Sequence, residues 1–171
     1  MHIVGIDPGL RDTGTVLLSF DTHHRTIVTR AFVVDGQALK ADASIIRNWL
    51  DSLEVQQPRV FIEKYVPRPG MTTSPDMLAL ENLIRVSLPG ATLVRNTGVK
   101  QMVPREVLTL LGLWSFSIQT NHDDLRAAAR IAVYGMMKNP TLNTLLADVI
   151  SDELDEQPWM VEVTPGERYA P

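Results

Sequence analysis

The sequence predicts an α/β domain with a five-stranded mixed sheet, a three-strand antiparallel meander plus parallel strands, flanked by helices. Residues 2–7, 13–20 and 26–34 are successive runs rich in β-branched and apolar side chains, separated by short polar turns. From about residue 42 the apolar period becomes helical, and two further runs, 59–63 and 91–95, return as strands between helical segments. Strands that return after helical crossovers pair in parallel, and the crossover helices cover the faces of the sheet.

The first strand ends at Asp7, and the polar turn Asp21-Thr22-His23-His24 separates the second from the third. Ile46, Trp49, Leu50 and Leu53 then fall on one face of a helix near 42–54. After Pro58, the strand 59–63 again ends in an acid, Glu63, and runs into the irregular loop Val66-Pro67-Arg68-Pro69-Gly70-Met71. Ser74-Pro75 has the form of an N-cap followed by proline at the first helical position, opening a helix that Pro89-Gly90 stops. Beyond the strand 91–95, residues 99–111 read as one helix with Pro104 in its first turn or kinking it. An alanine-rich helix starts at Asn121-His122-Asp123-Asp124, with Asn121 or Asp123 as its cap. A short helix near 141–150 and the run 159–161 read as an appendage.

At 171 residues the chain is long enough for one substantial core, and it has no cysteine, which excludes disulfides, thiolate metal sites and a cysteine nucleophile. Any metal must be held by oxygen or histidine. No apolar run approaches the roughly 18 residues of a membrane span, and no basic leader precedes the first strand. The expected location is therefore cytoplasmic, without membrane partners. The net charge of −4 is misleading: residues 137–171 hold seven acids and two bases, leaving 13 acids against 14 bases in residues 1–136. With several of those acids in one site, the remaining core surface is basic, as a phosphate-binding surface requires.

Asp7 and Glu63 end strands that, as parallel neighbours, bring both side chains to one carboxyl edge, and Asp123-Asp124 begins a helix far along the chain. Carboxylates held close together repel, and a cation relieves that repulsion. Hard oxygen donors select Mg²⁺, with Mn²⁺ as a substitute. Two such ions about 3.5–4 Å apart suit in-line hydrolysis of a phosphodiester, with Asp7 as bridging ligand and Glu63 and Asp124 at the flanks. Singly, each acid has a plainer role: Asp7-Pro8-Gly9 as a turn, Glu63-Lys64 as a surface pair, Asp123-Asp124 as a helix cap.

The segment Ile3-Val4-Gly5-Ile6-Asp7-Pro8-Gly9-Leu10-Arg11-Asp12-Thr13-Gly14 resembles the opening motif of the RuvC family of Holliday-junction resolvases, and Ile62-Glu63-Lys64-Tyr65 resembles their second acidic motif. The family's last motif has an acid, a second acid three residues later and then small residues on a helix. Alignment by the small residues puts Asp124 at the first acid and Ala127 at the second. The fourth ligand is thereby open among Asp123, His122 and solvent, and His122 is also a candidate for proton transfer. This departure points to a phage-type or otherwise divergent member, acting in the host cytoplasm if phage-encoded. The motifs span residues 1–136, an expected RNase H-like nuclease domain, with 137–171 as an acidic C-terminal appendage.

The resemblance implies an RNase H-like fold and a Mg²⁺-dependent endodeoxyribonuclease of crossover-junction type, a homodimer with one site for each symmetric cut. Expected phosphate contacts are Arg11, Lys64, Arg68 and Lys100, with Tyr65 stacking on an unpaired base. The helix at 74–88 is the candidate dimer face. Other readings are a nuclease for forked or other nucleic acid in phage DNA processing, a non-catalytic junction-binding protein, and an actin-like ATPase, for which a single lobe is too small.

Overall fold

The computed structural model describes residues 1–35, 39–67, 70–117, 122–151 and 158–169, with side chains of the first helix described from Ala43 onward. The meander is β1 (His2–Asp7), β2 (Asp12–Asp21) and β3 (Thr26–Asp35), paired antiparallel in turn. Helix α1 (Leu39–Ser52) crosses to β4 (Arg59–Lys64), which pairs in parallel with β1, and α2 (Pro75–Ser87) crosses to β5 (Thr92–Arg95), parallel to β4. Ser74 caps α2 as the sequence predicts, accepting from the Met77 amide, with Pro75 in the first turn.

Two expectations are corrected. The segment read as one helix over 99–111 is two, α3 (Val99–Met102) and α4 (Arg105–Leu110), because Val103 and Pro104 leave helical geometry and Pro104 has no amide to continue the ladder. Among the described residues the sheet has seven strands, not five. After α5 (His122–Lys138) and α6 (Pro140–Ile150), two short strands from the tail, β6 (Met160–Val163) and β7 (Glu167–Tyr169), both pair in parallel with β3. The order is β5-β4-β1-β2-β3-β6, with β7 farther along the same β3 edge. Short strands give the alternation signal too few residues to register. Their place is secured by tertiary bonds: Trp49 Nε1 donates to Glu167 Oε1 at 3.2 Å, Thr164 Oγ1 to the Thr29 carbonyl at 2.8 Å, and Arg168 pairs with Asp35 at 3.0 Å.

The sheet is buried on both faces. Val4, Ile6, Leu17, Phe32, Val60 and Ile62 face α1 and α2, where Phe32 and Trp49 stack with ring centroids 4.8 Å apart. Ile3, Val16, Leu18, Ile27, Val33 and Phe61 face α5 and α6. Strand alternation makes the division: successive residues point to opposite faces, and a strand with both sets apolar lies at the centre of the molecule. Among the described residues no helix is long and apolar enough to cross a membrane.

Candidate active site

Strand register brings the first two acids together. β1 and β4 run in parallel with Ile6 opposite Ile62, so Asp7 and Glu63 are the next residues along each strand. By alternation both point to the α5 face, as Ile3 and Phe61 do. Two glycines on that face admit the third acid. A Cβ on Gly14, the antiparallel partner of Asp7, would stand 2.7 Å from the Asp124 carbonyl, and one on Gly5 would strike the Ala128 carbonyl and come within 2.9 Å of the Ala132 amide nitrogen. The start of α5 thus lies directly on the sheet where β1 and β2 separate. Thr13 closes the turn between those strands, its hydroxyl donating to the Gly9 carbonyl at 3.3 Å.

The electrostatics follow from this crowding. Burial pushes the Asp7 carboxyl up to about 9, helped by the charge of Glu63, a hydrogen bond between the two carboxyl groups and the charge of Asp124. Near neutral pH and without a cation, Asp7 therefore keeps its proton and shares it with Glu63. Among the described residues no set of three His, Asp or Glu side chains is arranged to hold a metal ion as it stands. Carboxyl groups bound through a proton sit differently from carboxylates around a cation. The donors nevertheless suit a hard divalent ion: they are all carboxyl oxygens, and burial and crowding keep one of the groups, Asp7, protonated well above its ordinary range.

No protein-family model and no curated protein sequence matches the chain. Among solved structures, RuvC of Thermus thermophilus in complex with a Holliday-junction substrate superposes with a TM-score of 0.54 at 20% identity, covering 81% of this chain and 96% of that one. A second structure of Thermus thermophilus RuvC gives a TM-score of 0.53 at 20% identity, covering 80% and 96%. The chain has the RNase H-like fold of RuvC. In that RuvC-like frame Asp7, Glu63 and Asp124 lie at the carboxyl edge of β1 and β4 and at the start of α5.

The other predicted residues disperse around this centre. Asp123, one position before Asp124, has a side chain 98% exposed and pairs with Arg126 at 3.2 Å. His122 is half-buried, its ring centroid 6.2 Å from that of Phe116, and its buried Nδ1 has no hydrogen-bond partner among the described residues. Neither residue is among the groups that shift Asp7. Lys64 alternates to the α1–α2 side, away from Glu63. Tyr65 is half-buried, and its hydroxyl accepts from the Ser74 amide at 3.2 Å. Arg11 and Lys100 are exposed. Arg68 and Asn121 lie outside the described residues.

Sequence reading missed two polar residues that shape the site. Asn96, just past β5, donates from Nδ2 to Glu63 Oε1 at 2.8 Å. Glu81 of α2 is only 6% exposed, and its Oε2 accepts the Tyr65 amide at 2.6 Å, fixing the chain immediately beyond β4. Asn96 was detectable in principle, because Val94 pairs with Glu63 and Asn96 is the next same-face residue. Glu81 left only a weak trace, an acid within the apolar face of a helix.

Proposed function

We propose that the protein is a divalent-metal-dependent endodeoxyribonuclease that resolves four-way DNA junctions. The observation that carries this reading is the half-buried Asp7 carboxyl, flanked by Glu63 and Asp124 at the carboxyl edge of an RNase H-like sheet. Four-way DNA enters because a Holliday-junction substrate is bound by the Thermus thermophilus RuvC that shares the fold. Asp7, Glu63 and Asp124 would hold Mg²⁺ or Mn²⁺, two ions per site. Bound there, such ions activate the attacking water and stabilise the leaving oxygen of an in-line displacement.

The chain's own residues supply position and charge. Asn96 orients the Glu63 carboxylate through Oε1. Gly14 lets α5 present Asp124, and Asp7 would have to release its proton for a cation to be held there. Exposed Arg11 and Lys100 are suited to backbone phosphates. A homodimer would give one site per symmetric cut, with α2 as the contact, since Leu78 and Val86 on that helix are 39% and 75% exposed.

The test is cleavage of four-way, forked and duplex DNA and an RNA–DNA hybrid, with Mg²⁺ or Mn²⁺, by the wild type and Asp7→Asn. The expected result is preferential cleavage of the four-way substrate and a loss of roughly a thousandfold in Asp7→Asn, the scale of removing a principal charge-stabilising group. Equal activity in Asp7→Asn overturns the site, and preference for the hybrid overturns the substrate. Junction binding with no product at any metal concentration would instead establish the non-catalytic junction-binding reading.

A further inference from the structure

On the flank of α5 away from the acids, three arginines gather around one indole. Trp114, half-buried in the segment between α4 and α5, has the guanidinium carbons of Arg126, Arg105 and Arg130 at 4.2, 4.8 and 5.9 Å from its ring centroid. Arg126 and Arg130 are one turn apart on α5, and Arg105 opens α4. The Arg126 guanidinium is anchored, with Nε donating to the Trp114 carbonyl at 3.0 Å and Nη1 to Asp123 at 3.2 Å. Nothing comparable anchors Arg130, whose buried Nε has no hydrogen-bond partner among the described residues.

A single arginine on a tryptophan is an ordinary packing device. Three is a different matter, because like charges around one ring repel. Asp123 offers one negative charge against three positive ones, and Glu106, beside Arg105, makes no ion pair among the described residues. Burial and the charge of Arg126 both push the Arg130 guanidinium below its ordinary value, with Asp123 opposing. Among the described residues the cluster thus has unspent positive charge and an unused buried donor. Guanidinium forks match phosphate oxygens in geometry and charge, and the indole plane keeps them from dispersing.

We propose that Arg105, Arg126 and Arg130, organised by Trp114, form a second nucleic-acid contact that binds the phosphodiester backbone of a DNA arm beside the cleavage site. The assignment rests on the nuclease reading and adds a site that it does not require. Arg126 is two residues past Asp124 on the same helix. The patch is therefore about one helix width, 10–12 Å, from the acids, or roughly three nucleotides along a strand at ~3.4 Å per step. DNA leaving the acids past the start of α5 meets the arginines next.

The experiment measures binding of four-way and duplex DNA by fluorescence anisotropy across a salt series, in an Asp7→Asn background that prevents cleavage. It compares that protein with Arg105→Gln, with the Arg126→Gln/Arg130→Gln double variant, and with the same positions changed to Lys. The Gln variants are expected to bind several-fold to tenfold more weakly, with the log–log salt slope falling by about 0.9 per lost phosphate contact. The Lys variants should recover most of the slope. Unchanged affinity and slope in folded Gln variants, while the parent binds DNA, overturns this inference and leaves the nuclease reading standing. No binding of any DNA by the parent overturns both. If the Gln variants lose affinity for a polyglutamate peptide but not for DNA, the patch serves an acidic protein segment and the proposal fails. A melting temperature lowered equally by Gln and Lys, with DNA affinity intact, reduces the cluster to packing.

Discussion

The two faces of the sheet at the ends of β1 and β4 are built on different rules. On the α1–α2 face, Val4, Ile6, Val60 and Ile62 meet Leu80 and Ile84, all large, apolar and at most 3% exposed. On the α5 face, the same strands present Gly5, Asp7 and Glu63 to a helix start rich in alanine. One face maximises buried apolar area; the other gives it up to bring a helix backbone and three carboxyl groups close together. Apolar packing thus gives way where the carboxyl groups gather, the kind of local rule-breaking expected at a functional site.

The comparison can be broken by mutation. Leu80→Ala should cost about 2–5 kcal/mol through lost burial and a cavity, with turnover per folded molecule unchanged; denaturant melts and active-site titration check this. A large fall in specific activity would mean the two faces are coupled. Asn96→Ala is expected to lower cleavage or metal affinity by about 10–100-fold, the scale of losing a partner that orients a ligand, with little change in melting temperature. An unaltered metal titration would remove Asn96 from the site. Gly14→Ala sharpens the contrast from the other side: its Cβ meets the Asp124 backbone, so a destabilisation of about 1–3 kcal/mol should come with a disproportionate loss of activity. If stability drops while activity per folded molecule holds, the close approach is packing alone.

The last test is the pH dependence of the metal-free protein. Asp7 ionises at about 9 in the folded state against an ordinary value of 3.8, so between those limits the folded chain holds a proton that the unfolded chain has released. Stability therefore falls as pH rises through that window. In EDTA, Asp7→Asn should match the wild type near the low end and melt progressively higher as the pH approaches the high end. A difference that does not grow with pH would mean that Asp7 is ionised in the free protein.

Much of the fold was readable in the residues. The meander, the two parallel returns and the capped helix at Ser74-Pro75 all stand where alternation, period and cap chemistry put them. The break at Pro104 was visible as an irregularity but not as two separate helices, and the tail strands were too short to carry a period. At the site, the Asp7 and Glu63 juxtaposition followed from strand parity, a local property. The preference for Asp124 over Asp123 came from the motif resemblance and not from the helical period, because adjacent helix positions differ by about 100° and packing decides which side meets the sheet.

The sequence by itself thus determined the α/β class and the succession of the first five strands, and named the candidate metal-binding residues, since period, turn residues and donor type are all properties of short segments. Only the tertiary structure decided that Gly5 and Gly14 seat α5 against the sheet. It alone turned Asp124 toward Asp7 and Asp123 toward Arg126, added Asn96 to Glu63, and gathered three arginines on Trp114. These are contacts between residues distant in the chain or on opposite sides of one helix, and they exist only once the backbone has been folded to bring them within reach.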